Sequence, residues 1–312
     1  MGSRSTKIVK KIILIAGPTA SGKSNLATLL AKKINGEIIN ADSMQVYKEF
    51  SILSSRPPLR DTKKINHHLY GFLSVRKHFS VGSWLKLVKS NVSKCIKKRK
   101  VPIIVGGTGL YFNAITKGIS QIPNIKPETR KISRKLHKKL GQNKFYKKLL
   151  LIDPLSKNRI LPTDTQRTIR AYEVKIDTKK SLYEWASNTK SEFINYDLKK
   201  IFLNVSRDNL LKNISNRTET MFKNGCVNEV KKFKNLKIDK SLSANKLIGV
   251  REIIDYLLGK TNLDSTKELV NIRTRQLAKK QNTWSRGHMK NWNKVYSKDL
   301  TILSKKVLKV IS

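Results

Sequence analysis

The stretch from residue 12 to residue 30 constrains this chain more than any other. Ile12-Ile13-Leu14-Ile15-Ala16 is an unbroken apolar run, and it gives way to Gly17-Pro18-Thr19-Ala20-Ser21-Gly22-Lys23-Ser24, which fits the pattern G-x-x-x-x-G-K-[ST]. Leu26, Leu29 and Leu30 follow at helical spacing. Strand, glycine-framed loop and helix in that order build a cage for a di- or triphosphate. Gly17 and Gly22 permit backbone angles that turn successive N–H groups inward, and the helix contributes the positive end of its dipole. Lys23 is placed to neutralise phosphate oxygens, and the Ser24 hydroxyl to ligate Mg²⁺. A structural glycine turn is the competing reading. With equal residue usage, a chance four-position match arises in roughly 0.4% of chains of this length, which makes accident a weak rival.

Composition bounds the rest. At 312 residues and 38% apolar content, the chain can bury a proper core as one domain with a sizeable insertion, or as two domains. No run of about 18 uncharged apolar residues is present, and the N-terminus lacks the apolar core of a signal peptide. Gly2 followed by Ser3-Arg4-Ser5-Thr6 brushes against a myristoylation pattern, although Gly-Ser after Met is also a common cloning remnant. A cytoplasmic, monomeric protein without membrane contact is expected. Cys95 and Cys226 stand far apart and outside any C-x-x-C pattern, which argues against a disulfide framework and a zinc site.

The formal charge is +45, from 66 Lys+Arg against 21 Asp+Glu. Such an excess points to a polyanionic partner, and nucleic acid is the commonest. Only 16 of the 66 are Arg, and the chain is also rich in Asn and Ile, as an AT-rich genome would produce. Part of the excess is therefore compositional drift. The remainder favours nucleic acid over a membrane surface, since no basic amphipathic helix with an aromatic face stands out.

After a first helix ending near Asn35-Gly36, residues 37–40 read as a second strand that runs into Asp42. A carboxylate directly after a strand lies at the carboxyl edge of a sheet, beside the phosphate loop. Asp42 is either placed there for chemistry or caps a following helix, and spacing does not choose. Residues 56–77 look like a loop-rich connection. Adjacent His67 and His68 would face opposite sides of a strand, with no third ligand at metal spacing, which favours a structural role. Residues 83–97 read as a helix and 101–105 as a short buried strand. Gly106-Gly107-Thr108-Gly109 follows, suggesting backbone brought close to a ligand, with the Thr108 hydroxyl at the sheet edge. The βαβ rhythm implies an α/β fold with a parallel sheet and flanking helices.

These blocks, with later ones, resemble the tRNA dimethylallyltransferase family, also called tRNA isopentenyltransferases. The residues that carry the resemblance are Gly17 to Ser24, Asp42-Ser43 followed by Tyr47, and Val105-Gly106-Gly107-Thr108-Gly109-Leu110-Tyr111. Pro162-Thr163-Asp164-Thr165-Gln166-Arg167-Thr168-Ile169-Arg170-Ala171-Tyr172-Glu173, Ile248-Gly249-Val250-Arg251-Glu252, and the segment from Arg275 through Gln281 and Trp284 to Gly287 continue it in order. Departures are mild. Residues 50–57 lack the family's Gly-Thr-Ala-Lys-Pro ending, Tyr70-Gly71 stands for Ile-Asp, and Val250 for an aromatic. No zinc-finger tail follows, so the chain looks like the bacterial type.

The resemblance implies a core domain over residues 8–122 and 198–312 and an all-helical insertion over 123–197 that grips the anticodon stem-loop. Residues alone show the βαβ rhythm breaking after Pro123, a basic helix candidate over 127–140 and a second helical stretch over 165–174. By resemblance, Arg130 and Asp164, Thr165, Gln166, Arg167 and Thr168 contact tRNA, as do Asp42, Ser43, Met44, Gln45 and Thr108 at the core; solvated side chains are the alternative for the insertion's lysines. A strand over 200–205 leads to a helix carrying Arg217-Thr218-Glu219-Thr220-Met221. That segment resembles the family's Arg-Val-Asp-x-Met, which implies that Arg217 is a diphosphate contact; an ordinary surface salt bridge is the alternative. Ser265-Thr266-Lys267-Glu268 reads as a capping box whose helix turns Leu269, Ile272 and Leu277 inward. Residues beyond 287 give no signal.

The implied activity is transfer of a dimethylallyl group from dimethylallyl diphosphate to the exocyclic amine of the adenosine 3′-adjacent to the tRNA anticodon. The loop Gly17-Pro18-Thr19-Ala20-Ser21-Gly22-Lys23-Ser24 would hold the diphosphate with Mg²⁺ on Ser24, Asp42 would accept the proton, and Thr108 would orient the reacting groups. A small-molecule kinase or NTPase is the alternative enzyme, and a non-catalytic nucleic-acid binder is a third reading.

Overall fold

A computed structural model describes residues 10–58 and 64–312. The N-terminal myristoylation pattern and residues 8 and 9 of the expected core lie outside the described residues. The chain forms two compact units, Met1–Thr116 with Asn195–Ser312, and Lys117–Ile194. Among the described residues no helix is long and apolar enough to cross a membrane.

The first unit is built on β1 (Lys11–Ala16), β2 (Gly36–Asn40), β3 (His67–His68), β4 (Val101–Gly106), β5 (Asp197–Leu203) and β6 (Asn293–Val295). They form one sheet of order β3-β2-β4-β1-β5-β6, and every pairing is parallel. A strand covered on both faces needs no polar side, so β1 is an unbroken apolar run. Ile13 and Ile15 pack with Ile38, Ile103 and Ile201 beneath α1 (Lys23–Lys33). Ile12 and Leu14, equally buried, turn to the opposite face by the pleat.

Also in this unit are α2 (Val81–Lys97), capped by the Ser80 side chain, and α3 (Gly109–Lys117). The second unit holds α4 (Pro127–Ile152), α5 (Thr165–Thr178) and α6 (Leu182–Ser187). The basic helix expected over 127–140 continues to Ile152, with Gly141 at φ 71° breaking its regularity; Phe145, Leu149, Ala171 and Tyr172 form the core of this unit.

The chain then returns to the first unit through β5 and α7 (Arg207–Lys223), α8 (Cys226–Asn235), α9 (Val250–Leu257) and α10 (Leu263–His288). The start of α10 differs from the expected capping box. Asn262 is the cap, accepting from the Ser265 N–H at 2.8 Å, and Glu268 pairs with Arg275 instead. The buried face of α10 is Thr266, Val270, Thr274, Ala278 and Ser285, whereas Leu269, Ile272 and Leu277 are 38%, 37% and 38% exposed. The tail beyond 287, silent in sequence, supplies edge strand β6 and α11 (Leu300–Ile311), whose Leu303, Val307 and Ile311 close the core beside α1.

His68 lies on β3 with its Nε2 2.7 Å from Glu37 Oε2, and Cys95 Sγ donates to the same oxygen at 3.4 Å. Glu37 Oε1 accepts from Asn66 at 2.8 Å, so the buried carboxylate is satisfied on both sides. Glu37, His68 and Cys95 bring metal-ligand types within 4.8 Å of one another, a grouping that spacing along the chain does not reveal. Burial, and then Glu37, push the Cys95 thiol up to about 12, which holds it protonated as a hydrogen-bond donor.

Candidate active site

The strand order sets the site. β1, β4 and β2 are neighbours, so the segments leaving their carboxyl ends converge: Gly17 to Ser24, Gly106 to Thr108, and Ala41 to Met44. Of the two loop glycines, only Gly22 uses the left-handed region, at φ 82°, where it precedes α1. Gly17 is needed for space, since a Cβ there would lie 2.9 Å from Ser21 Oγ. Ser21 Oγ is buried and has no hydrogen-bond partner, an orphan donor inside the loop.

Lys23 Nζ donates to the Pro18 carbonyl at 3.0 Å, folding back over the loop. Burial pulls its pKa down to about 8, with Asp42 opposing and Arg217 adding to the shift. From α7, Arg217 Nη1 donates to Thr19 Oγ1 at 2.8 Å. Burial lowers the Arg217 pKa against the attraction of Asp42, and among the described residues no ion pair engages it. It sits over the phosphate loop, not in a surface salt bridge.

Asp42 is held through its main chain. Asn40, fully buried at the end of β2, accepts from the Asp42 N–H at 2.8 Å and donates to the Asp42 carbonyl at 2.9 Å and the Leu69 carbonyl at 3.0 Å. Asp42 Oδ1 accepts from the Met44 N–H at 2.9 Å, an Asx turn that begins irregular chain, so no regular helix is capped here. Thr108 Oγ1 accepts from the Ser43 N–H at 3.0 Å, locking the loop after β4 to the loop after β2. Gly106 allows their contact: a Cβ there would fall 2.1 Å from the Ala41 oxygen. Gly107 and Gly109 make room for the side chains of Gln281 and Trp284, and both also line cavities described below.

A cavity of about 330 Å³ opens among these groups. Thr19, Asp42, Thr108 and Arg217 give it a polar end, and Leu53, Met221, Leu247, Ile248 and Val270 an apolar one. Asp42 is the sole carboxylate among its lining residues. Gln281 of α10 stands beside it, accepting from the Thr19 N–H at 2.8 Å and donating to the Gly107 carbonyl at 3.0 Å. A second cavity of about 270 Å³, lined by Gly17, Phe112, Phe202 and Trp284, meets the first at Gly107 and Gln281.

A family model described as IPP transferase matches residues 45–288. The chain belongs to the IPP transferase family. The tRNA dimethylallyltransferase of Pelagibacter ubique is 52% identical over 285 residues, covering 91% of both chains, and that of Rickettsia massiliae 42% identical over 283, covering 90% of this chain and 78% of its own. Among solved structures, the tRNA delta(2)-isopentenylpyrophosphate transferase of Staphylococcus epidermidis superposes with a TM-score of 0.68 at 29% identity, covering 96% of this chain and 98% of its own. A eukaryotic dimethylallyltransferase acting on tRNA gives 0.78 at 27% identity, over 88% of this chain and 70% of that one.

In this member of the IPP transferase family, Ser43 and Met44 line the cavity as well. Gln45 does not: its amide donates to the Ser54 and Ser55 carbonyls at 3.0 and 2.9 Å. In the helical unit, Arg130, Gln166 and Arg167 are exposed and Asp164 caps α5 by accepting from the Arg167 N–H at 3.1 Å, with Thr165 half-buried. Thr168 is fully buried, and its hydroxyl donates to the Asp164 carbonyl at 2.7 Å while accepting from Gln142 at 3.2 Å, so it braces the helix start. Asn40, read only as the end of a strand, and Gln281, read only as part of a family block, were given no role in the site from the sequence. Asn40 lies in an apolar strand two residues before Asp42, a position that could have flagged it; Gln281 meets the loop across 262 residues, which no local pattern encodes.

Proposed function

We propose that this protein transfers a dimethylallyl group from dimethylallyl diphosphate to the exocyclic amine of the adenosine 3′-adjacent to the anticodon in tRNA, releasing diphosphate. The observation that carries the reading is a single carboxylate, Asp42, facing a phosphate loop across a cavity with one apolar end. The target base must leave its stack to reach a cavity of this kind. As its amine nitrogen bonds to C1 of the donor, the C1–O bond breaks, the electron pair leaves with diphosphate, and the amine proton passes to Asp42. Among the described residues no hydrogen bond reaches Asp42 Oδ2, which leaves that oxygen to take the proton. Asn40 and Thr108 keep the carboxylate in place through the loop backbone.

Lys23, Arg217 and the orphan Ser21 hydroxyl fit a diphosphate, and the oxygen donor Ser24 suits a hard cation. Bound Mg²⁺ would neutralise charge on the departing diphosphate. The working unit is taken as one chain. The exposed Arg130 and Arg167 are assigned to the anticodon stem-loop, and a cytoplasmic setting suits that substrate. A kinase reading would ask for a second acidic Mg²⁺ ligand at a strand end. Here β4 ends in Gly106 and β5 runs into Asn204.

Protein, total tRNA, Mg²⁺ and labelled dimethylallyl diphosphate should yield labelled tRNA without ATP consumption. Asp42→Ala should lose about 10²–10⁴-fold in single-turnover rate while tRNA binding holds within a few-fold. Stoichiometric ATP consumption coupled to product would favour the kinase, and equal losses of rate and tRNA affinity would make Asp42 a recognition residue.

A further inference from the structure

Glu37 puts a carboxylate inside an apolar layer. Strand β2 is buried at every position, and Glu37 is 3% exposed. Ile38 packs on the α1 side of the sheet, so by the pleat Glu37 turns to the other face. There it meets Cys95 of α2, which is fully buried, and His68 of β3, whose side chain is 25% exposed. Three elements thus bring one oxygen, one nitrogen and one sulfur within 4.8 Å of one another.

The cluster holds a buried charge. Burial works against ionisation of Glu37, but hydrogen bonds from Asn66, His68 and Cys95 keep its pKa below the usual carboxylate value. Its ion-pair partner is His68, which is charged only when protonated. With a neutral imidazole the three side chains carry one negative charge in the interior, where charges are paired or coordinate metals.

The spacing suits a tetrahedral ion. With Zn–S of about 2.3 Å and Zn–N or Zn–O of about 2.1 Å, neighbouring ligand atoms lie about 3.3–3.6 Å apart. Cys95 Sγ is 3.4 Å from Glu37 Oε2, and His68 Nε2, now at 2.7 Å, has to draw back by about 0.6 Å. Both contacts to Oε2 run through protons, one on sulfur and one on nitrogen. A divalent ion entering between the three atoms replaces them: the thiol proton leaves to solvent, and the imidazole proton moves to Nδ1, freeing the Nε2 lone pair. Thiolate, carboxylate and neutral imidazole then balance a charge of +2. Asn66, donating to Oε1 at 2.8 Å, keeps the carboxylate oriented, and half-buried His68 gives an entry path. A donor set of sulfur, nitrogen and oxygen matches borderline-soft Zn²⁺ and disfavours hard Mg²⁺.

We infer that Glu37, His68 and Cys95 form a zinc site that clamps β3 and α2 to β2. The site is separate from the phosphate loop, and the inference does not depend on the transferase reading. Its place in the fold gives the clamp a purpose. β3 has only two residues, at the sheet edge, and directly after it the Leu69 carbonyl accepts at 3.0 Å from Asn40, the residue that holds the Asp42 backbone. The other end of α2 also reaches Asn40, whose carbonyl accepts from Trp84 Nε1 at 2.8 Å. Glu37 lies three residues before Asn40, about 10 Å along the strand.

The test uses the full chain, stripped of metal with a chelator and titrated with Co²⁺ or Zn²⁺ in excess Mg²⁺, which fills oxygen-donor sites such as Ser24. One equivalent of Co²⁺ should produce a thiolate-to-cobalt charge-transfer band, and one equivalent of Zn²⁺ should abolish that band and raise Tm. Cys95→Ser, which preserves a hydrogen-bond donor to Glu37, should lack the band and bind Zn²⁺ at least tenfold more weakly. Glu37→Gln and His68→Ala should also weaken Zn²⁺ binding at least tenfold. Cys226→Ser, which alters the other buried cysteine, should leave band and affinity unaltered. Absence of the band in the wild-type protein, or equal Zn²⁺ affinity of wild type and Cys95→Ser, would overturn the zinc site and leave a hydrogen-bonded cluster. A band that survives in Cys95→Ser and disappears in Cys226→Ser would overturn it by placing the ion elsewhere.

Discussion

Lys23 illustrates how one residue's environment sets a property that its identity does not. A lysine in water stays protonated well past neutrality, but burial beside Arg217 brings this one down to about 8, despite Asp42. The protonated form is the one that attracts a diphosphate. As pH rises through about 8 the free protein loses that proton, and anion binding must take one up, so affinity falls. Relative to Lys23→Arg, which cancels the ionisations of pyrophosphate itself, wild-type affinity should be unchanged below about pH 7.5 and weaken by up to about tenfold per pH unit above 8. Lys23→Arg, whose guanidinium remains charged, should remove that limb. Calorimetry in buffers of different ionisation enthalpy would register extra proton uptake by the wild-type protein over Lys23→Arg, and identical pH profiles of the two up to about 9.5 would reject the assignment.

At the level of elements, the site depends on two strand ends that touch. β4 and β2 pair through Val105 and Asn40, and the chain after β2 passes so close to Gly106 that any side chain there would collide with the Ala41 carbonyl. Gly106→Ala must push that backbone away immediately before Asp42. A loss of about 1–3 kcal/mol is expected from the overpacking, read as a fall of several degrees in Tm, together with a drop in kcat. Gly287→Ala serves as the control, since nothing lies within 4 Å of a Cβ at that helical position. Equal behaviour of the two variants would show that the contact between the strand ends has slack. Helix α10 teaches the complementary lesson: the leucines expected inside are more than a third exposed, and Leu277 lines the cavity. An apolar side chain at helical spacing marks a face, but not whether that face meets protein or a cavity.

For the whole molecule, the charge of +45 is spread over both units and is not gathered in the helical one. Net charge therefore supports attraction to a polyanion without locating it. Particular arginines should do that. Arg130→Ala and Arg167→Ala should each weaken tRNA binding and reduce the slope of log affinity against log salt by roughly 0.7–0.9 for every phosphate no longer neutralised. Filter binding across a salt series measures both, and unaltered slopes in both variants would place the tRNA elsewhere.

What the sequence determined by itself were the features whose physics is local. The phosphate loop is legible because a glycine turn, a lysine and a helix start must be contiguous to work, and the apolar runs of β1 and β4 are legible because a parallel strand covered on both faces needs no polar side. The order of blocks from Gly17 to Gly287 was enough to suggest the family. Only the tertiary structure decided which distant groups share a space. Gln281 reaches Thr19 across 262 residues, Glu229 braces Leu53, and the featureless tail becomes β6 and α11 on the core. It also separated residues that look alike in sequence, committing Thr168 and Gln45 to protein hydrogen bonds while leaving Ser43 and Thr108 at the cavity. Spacing along the chain fixes the faces of helices and strands, whereas the neighbour each face meets depends on the sheet order and the packing of the whole chain.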